Sequence, residues 1–171
     1  RRVTVNGVAQ NLSLFPNRNL HRTLDSVSLP LAQGDVVAIL GYNVGSFSTG
    51  NPGYMNVEIL YNDINNVQQR IVSNTANWKC YEFNEATMKR VDTGSVCSYG
   101  TNPYGYASLI NNAEWIWSCN KPLSTVECEV QLGEKPAPVI NNRGKLTLTV
   151  DDQVRRVTVN GVAQNLSLFP N

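Results

Sequence analysis

The chain has little of what enzyme active sites and nucleic-acid interfaces are usually built from. It contains one histidine, His21, only 16% charged residues and a formal net charge of +1. A catalytic triad or a zinc site needs partner groups that one histidine in a polar run does not supply. A nucleic-acid interface needs a concentrated basic surface, and no phosphate-binding loop occurs either. We therefore expect a protein that is not an enzyme and does not bind nucleic acid.

Long apolar runs and helical periodicity are also missing. No stretch approaches the roughly 20 apolar residues that a membrane-spanning helix requires, so we expect no membrane insertion. The nearest approach to a 3.6-residue period is the short segment 84–90. Strand-like runs separated by Asn, Gly and Pro instead predict an all-β domain with many loops.

The four cysteines do not follow a metal-binding pattern. Cys80, Cys97, Cys119 and Cys128 contain no Cys-x-x-Cys spacing of the kind that zinc sites use. Two disulfides are the favoured interpretation, ahead of free buried thiols and of a metal site, and all three pairings remain open. Because disulfides persist in oxidising compartments, we expect an extracellular or cell-surface location.

An internal repeat is the most informative feature of the sequence. Residues 155–171 are identical to residues 1–17, at an offset of 155 − 1 = 154 residues. Identity over this length indicates either part of an array of repeats or an appended copy. A single domain has one position for such a segment, so one of the two copies must dock elsewhere or remain undocked.

Apolar patterns predict most of the strands. Val27, Leu29 and Leu31 alternate as in a half-buried strand, and the continuous apolar run 36–40 is expected to be covered on both faces. Further strands are predicted at 3–5, 54–61, 67–72, 113–118 and 126–132, and Trp78 is expected to open a loop-rich section.

The end of the chain divides the sequence into three parts. Residues 133–142, with two prolines, predict an extended linker that spans at most roughly 33 Å. Beyond it, 145–150 alternates and 155–159 begins the second copy, so the two are expected to be neighbouring strands or a hairpin. We interpret 1–132 as a β-sandwich body lacking its first strand, 133–142 as a linker and 143–171 as the opening strands of the next repeat.

A sandwich that lacks a strand exposes an apolar groove and unpaired backbone groups. The tail of another copy can supply the missing strand, which is a known route to polymers. We therefore expect residues 145–159 to pair with the sheet of a neighbouring unit. The apolar positions of this inter-unit segment are Leu146, Leu148, Val150, Val157 and Val159.

Several short motifs resemble those of one extracellular family. They are Gly34-Asp35-Val36-Val37-Ala38-Ile39, Trp78-Lys79-Cys80, Ala113-Glu114-Trp115-Ile116-Trp117 and Leu148-Thr149-Val150-Asp151-Asp152, followed by Val157-Thr158-Val159-Asn160-Gly161. Together they look like the galactose-binding-like β-sandwich (jelly-roll) modules, in which a strand ending in Asp-Asp precedes one ending in Asn-Gly. The resemblance implies a jelly-roll sandwich, sugar binding as in some members, and a structural ion as in many.

Candidate ligand and modification sites are few. Asn11 and Asn165 lie in Asn-x-Ser sequons, the predicted glycosylation sites. Loop tyrosines that could contact a glycan are Tyr99, Tyr104 and Tyr106, although packing is the commoner role of such residues. Asp151 and Asp152 are weak calcium candidates because no loop has regular donor spacing, so no cofactor is predicted beyond a structural calcium ion. Trp115 and Trp117 are expected to be core or sheet-face residues rather than ligand contacts.

These observations predict a structural subunit of an extracellular filament or surface array, whose partners are copies of itself. The units would polymerise through strand exchange or addition. The alternative is a carbohydrate-binding, lectin-like adhesion module with glycan partners. A third interpretation is an engineered chain whose tail was appended to block polymerisation, which predicts a monomer.

Overall fold

The chain folds entirely into β-structure over the residues that can be described. A computed structural model describes residues 2–11, 24–43, 53–102, 108–119 and 125–135, and the backbone of 144–150, 153–159 and 162–163. These residues contain no helix, and hence none long and apolar enough to cross a membrane. The strands are β1 Arg2–Val5, β2 Val8–Ala9, β3 Asp25–Leu29, β4 Val36–Tyr42, β5 Met55–Asn62, β6 Gln68–Val72, β7 Trp78–Asn84, β8 Lys89–Arg90, β9 Val96–Ser98, β10 Ile116–Ser118, β11 Thr125–Gln131, β12 Gly144–Val150, β13 Gln153–Val159 and β14 Val162–Ala163.

The strands form two curled sheets. Sheet A has the order β14-β13-β1-β4-β11-β7-β8, and sheet B has the order β3-β12-β5-β10-β9, with β6 also pairing with β5. Pairing is antiparallel except between β1 and β13, which run parallel. The prediction of an all-β sandwich is confirmed.

The core lies between the inner faces of the two sheets. Strand β3 shows the predicted alternation, with Val27 and Leu29 buried and the two serines of the strand exposed. Strand β4 is buried on both faces, as its continuous apolar run predicts, because Ala38 and Leu40 on the outer face are as inaccessible as Ile39 on the inner face. The central strands of sheet A therefore contribute to packing from both sides.

Trp117 fixes the spacing between the sheets near one end of the core. Trp115 and Trp117 are 4% and 2% exposed, so the expectation that both are core or sheet-face residues agrees with their burial. A Cβ atom at Gly41 would lie 2.8 Å from the Trp117 ring, and one at Gly53 would lie 3.1 Å from it. A side chain at Gly41 would require the indole to shift, and one at Gly53 would make a tight contact with the same ring.

One local prediction is wrong. Trp78 begins a strand of sheet A rather than a loop-rich section, since β7 pairs with β11 along most of its length. Cross-strand pairing there overrides a local pattern that is weak on its own. The segment 84–90, the nearest approach to a helical period, lies in the β7–β8 hairpin, as an all-β fold requires.

Candidate inter-unit interface

The strand at 144–150 is an interior strand of sheet B. On one side, Gly144–Leu148 pairs with Leu29–Asp25 of β3, and on the other, Lys145–Val150 pairs with Leu60–Met55 of β5. Within the described part of the chain, β3 pairs with no strand other than β12. The tail segment therefore holds β3 in the sheet and fills a place that the body leaves open.

The first copy of the repeated 17-residue segment lies in sheet A. Strand β1 pairs antiparallel with β4, with Arg2–Val5 opposite Leu40–Val37. It continues into a tight turn at Asn6 and Gly7, whose φ angles of 53° and 74° are those that Asn-Gly favours in a two-residue hairpin turn. The predicted strand and turn at this position are thus present.

The turn is fastened to the start of β4 by the Asn6 side chain. Asn6 Nδ2 donates to Asp35 Oδ1 at 2.6 Å, and the Val36 backbone N–H donates to Asn6 Oδ1 at 3.0 Å. The Asn6 N–H in turn donates to the Val36 carbonyl at 3.0 Å. Burial raises the pKa of Asp35, although the N–H of Ala32 acts against this by donating to its carboxylate. This set of bonds fixes the register of β1 on β4.

The second copy pairs with the same strand in the same register. Besides its partner on β11, each of two residues of β4 has one partner from each copy of the repeat. They are Leu40, opposite Arg2 and Arg156, and Ile39, opposite Val3 and Val157. Because the copies are offset by 154 residues, these partners are equivalent positions of identical sequences. Both copies thus recognise one edge of β4.

The two copies share this edge by dividing its length. Before the shared residues, Gln153 pairs with Tyr42 and Val154 with Gly41, and the register then shifts by a bulge at position 155. Past them, β13 leaves β4 and runs parallel to β1, with Thr158 opposite Val5. The three strands form a fork, with β13 at the Tyr42 end of β4 and β1 at the Val37 end.

Each copy also carries its second short strand. Strand β14, Val162–Ala163, pairs with Thr158 and Val159 of β13. It is the equivalent of β2, Val8–Ala9, which follows the Asn6-Gly7 turn. Both copies therefore have a second short strand at equivalent positions.

The expectation that the two tail strands are neighbours or a hairpin is wrong. Strands β12 and β13 lie in different sheets, because β12 pairs with β3 and β5 of sheet B whereas β13 pairs with β4 and β1 of sheet A. In the single chain both strands pair with their own body, and pairing with a neighbouring unit stays a prediction.

The cysteines form two disulfides, as predicted, and the structure selects one of the three pairings. Cys80 pairs with Cys128, and these residues stand opposite each other on β7 and β11. Cys97 on β9 pairs with Cys119 at the end of β10. All four cysteines are used, so none is free. Both bonds are compatible with an oxidising, extracellular location.

Tyr99 serves packing. Its ring stacks on buried Tyr54 with a centroid distance of 4.4 Å, and its hydroxyl donates to the Ser118 carbonyl at 3.4 Å. A ring held in this way has one face occupied by the protein, so Tyr99 alone is not an open platform for a sugar. The other glycan candidates, Tyr104 and Tyr106, lie outside the described residues.

Some of the remaining candidate residues belong to the described part of the chain and others lie outside it. Asn11 is half-buried, and Asn165, Asp151 and Asp152 lie outside the described residues. Asp63 caps a turn: the N–H groups of Asn65 and Val67 donate to its carboxylate, and the bond from Val67 is the main reason that the pKa of Asp63 is lowered. No group of three or more His, Cys, Asp or Glu side chains that could hold a metal ion occurs where side chains are described.

Sequence reasoning missed a charged cluster on the outer face of sheet A. Arg90 donates from Nε to Glu127 at 2.6 Å and from Nη2 to Glu129 at 2.5 Å, and its guanidinium lies 4.0 Å from the ring centroid of Tyr81. Burial, followed by the hydrogen bond that its hydroxyl donates to Glu129, raises the pKa of Tyr81 to about 12. The only sequence signal was the pair of glutamates alternating on β11, which is more typical of an exposed face.

Comparison of the chain with protein-family models, with curated proteins and with solved structures finds no match.

Proposed function

We propose that this protein is a structural subunit of an extracellular filament or surface array, in which units polymerise by exchanging strands. The observation that carries the proposal is the double pairing of β4: Leu40 and Ile39 each have an equivalent partner in both copies of the repeated segment. One edge that accepts both copies in one register is what a chain needs if the end of one unit can serve as the beginning of another.

The docking of the tail supports the proposed division into units. Residues 144–150 and 153–159 enter sheet B and sheet A in turn, as the first two strands of a complete sandwich would. The first copy supplies only the sheet A strand, so in this division the body 1–132 lacks its opening strand and the tail 143–171 is the opening of a unit. A backbone-paired strand inside a sheet gives both affinity and a fixed orientation between units.

The proposal is a structural role and not a catalytic one. An extracellular setting fits the two disulfides, and glycosylation at Asn11 and Asn165 belongs to the same proposal. The resemblance to galactose-binding-like modules enters as a proposed scaffold, and fold resemblance of this kind does not assign a ligand. In this proposal the partner surfaces are the strand edges at which the repeated segment pairs.

The assembly state tests the proposal most directly. We expect filaments or regular arrays by negative-stain electron microscopy, and a mass that rises with concentration in light scattering. A chain that stays monomeric at high concentration contradicts the proposal and supports the self-complemented alternative.

A cysteine pair in sheet B identifies whose tail fills the body. Thr147 of β12 stands opposite Glu58 of β5. When the single variants Glu58→Cys and Thr147→Cys are mixed, we expect disulfide-linked pairs that contain one of each chain. As a matched control, Lys89→Cys at the far edge of sheet A should form no such pair with Thr147→Cys. Cross-linking only within the double variant Glu58→Cys/Thr147→Cys would show that each tail remains on its own body.

A further inference from the structure

The fork on β4 has the geometry expected of an intermediate in which one strand has partly replaced another. Strand β13 holds Gly41 and Tyr42, β1 holds Val37 and Ala38, and the two copies overlap at the residues between them. From the overlap onwards β13 lies beside β1, with Val157 opposite Thr4 and Thr158 opposite Val5. These two residues thus stand next to the strand whose place their sequence can take.

If β13 replaces β1 residue by residue along β4, neither the side chains opposite β4 nor their register change. If β13 advances by one residue along β4, the residue that arrives is identical to the one that leaves, because 155–171 repeats 1–17. Thr158 would come to lie opposite Ala38, where Thr4 lies in the structure. The backbone bonds that are broken and formed are the same, so stepwise replacement meets no sequence-dependent barrier along the edge.

The incoming strand β13 can also begin to pair with β4 while β1 is still in place. The pairs of Gln153 with Tyr42 and Val154 with Gly41 lie outside the part of β4 that β1 occupies. The preceding strand β12 is at the same time anchored between β3 and β5. A segment fastened at one end and adjacent to its target is the favourable arrangement for replacement, because its effective concentration at the edge is high.

We propose that the β4 edge is a strand-displacement interface whose partner is the 153–159 segment of a second copy of this chain. The segment enters at Tyr42 and Gly41 and then displaces β1 from Leu40 towards Val37. The bonds of Asn6 to Asp35 and Val36 are the last to be exchanged, and Asn160 is the equivalent residue that can replace them. This inference rests on the proposed function, and it names the edge, the entry point and the strand that leaves.

A disulfide between positions 38 and 158 reports the displaced state. In the structure Ala38 lies opposite Thr4, and Thr158 lies opposite Val5, so the two positions meet only after β13 has advanced. The protein has no free cysteine that could give a background signal. We expect full-length Ala38→Cys and Thr158→Cys chains, when mixed, to form cross-linked pairs that non-reducing electrophoresis and mass spectrometry identify.

The entry point is tested by removing its backbone donors. Adding Gln153→Pro and Val154→Pro to the Thr158→Cys chain deletes the N–H groups that can bond to β4 there. We expect cross-linking to slow by about tenfold or more, since each lost backbone bond weakens the starting complex. The matched control, Gln153→Ala with Val154→Ala, keeps the N–H groups and should cross-link at the original rate.

Three outcomes overturn the inference, and they are distinguishable from failure of the proposed function. Equal rates for the proline and alanine variants would show that the strand does not enter at Tyr42 and Gly41. Chains that cross-link through positions 58 and 147 but never through 38 and 158 would exchange strands without releasing β1, so only the displacement fails. Cross-linking through 38 and 158 within the double variant, but never between mixed chains, removes the second copy as the partner and contradicts the filament as well.

Discussion

The two ends of the sandwich are held together by different means. At one end, β7 and β11 of sheet A are joined by Cys80–Cys128, and β9 and β10 of sheet B by Cys97–Cys119. At the other end, sheet A finishes with β1, β13 and β14 and sheet B with β12 and β3, which only non-covalent pairing holds among the described residues. The covalent end packs across the core, since β10 contacts both β7 and β11.

This difference bears on whether the sandwich could exchange strands, as proposed, without unfolding. A strand that leaves the sheet exposes apolar surface, and a uniformly weak domain would lose its cooperative structure in the process. The disulfides restrict the unfolded state of the β7–β11 and β9–β10 end, and in the proposed filament the β1–β13 and β3–β12 end is the one that changes partners. We therefore expect mutations at the two ends to differ in kind as well as in size.

The charged cluster adds to the covalent end. Arg90 bridges Glu127 and Glu129 and lies over Tyr81, all on the outer face of sheet A beside the Cys80–Cys128 disulfide. The other end has a lighter fastening of this kind in the hydrogen bonds of Asn6 to Asp35 and Val36. Bonds made through the neutral Asn6 side chain are weaker than a guanidinium that bridges two carboxylates, which is consistent with the proposal that β1 can be displaced.

Deletion of residues 144–171 should give the largest effect. It removes β12, the strand with which β3 pairs. Val27 and Leu29 of β3 are 5% and 3% exposed, and burial of each contributes about 1.5–3 kcal/mol. We expect a loss of about 5 kcal/mol or more in the free energy of unfolding, measured by urea titration followed by circular dichroism. Addition of a peptide of residues 144–171 should restore the lost stability.

A shorter deletion serves as the control for that result. Removal of residues 164–171 alone spares β12, β13 and β14 and should change the free energy of unfolding by less than about 1 kcal/mol. If the longer deletion is equally mild, the body does not depend on the tail, and the comparison between the two ends fails.

Loss of the disulfides should rank second. Cys80→Ala with Cys128→Ala opens a loop with a sequence separation of 48, and the loop-entropy relation gives a cost of about 4 kcal/mol. Cys97→Ala with Cys119→Ala opens one of 22, with a cost of about 3 kcal/mol. Thermal and urea unfolding would measure both. The comparison is sharpened if these variants lose strand exchange together with stability, and it breaks if the first pair unfolds no more easily than the parent chain.

Patterns that depend on one strand alone were predictable from the sequence. The alternation of Val27 and Leu29 and the apolar run of β4 follow from burial on one face or on two, which needs no knowledge of the neighbours. The strand at Trp78 was missed because its outward side chains include Lys79 and Tyr81, whose roles depend on the pairing with β11. The disulfide pairing likewise follows from which strands are adjacent, since Cys80 and Cys128 share one register.

The sequence predicts that the repeated segment needs a pairing partner, but it does not predict which strand edge the segment pairs with. Two identical segments and one place for them follow from the sequence, but the choice of the β4 edge depends on which strand lies beside Val3 and Val157. The crossing of the tail between sheets was also out of reach, because alternation at 145–150 and 155–159 fits a hairpin equally well. The buried state of Glu127 depends on the central place of β11 in sheet A.

Removal of the Arg90 guanidinium should have an intermediate, pH-dependent effect. The Glu127 side chain is 4% exposed, and Arg90→Met takes away the cation that compensates its burial, at a cost of about 3 kcal/mol near neutral pH. Burial raises the pKa of Glu127 above its ordinary value, and Arg90 opposes this rise. In the variant the folded-state pKa rises further, so the folded state binds the proton more tightly than the unfolded state.

The sign of the pH dependence follows from that difference. Stability should increase as the pH falls through the raised folded-state pKa of Glu127 towards its ordinary value of 4.5, so the deficit of Arg90→Met shrinks on acidification. Urea unfolding at pH 7 and pH 5 measures it. The control, Arg70→Met, disturbs the exposed pair with Glu58 and should cost less than about 1 kcal/mol at either pH. A deficit that is independent of pH would assign the loss to packing.

Tyr99→Phe should have the smallest effect and separates packing from ligand binding at this residue. The hydroxyl donates over 3.4 Å, a long bond, whereas the ring stacks on Tyr54 at 4.4 Å, so removal of the hydroxyl should change the free energy of unfolding by less than about 0.5 kcal/mol. Tyr99→Ala removes the ring as well and should cost about 3 kcal/mol. Urea unfolding and a glycan array applied to both variants provide the test. Glycan binding that is lost in Tyr99→Phe while stability is unchanged would show that the hydroxyl contacts a ligand and would support the lectin-like alternative.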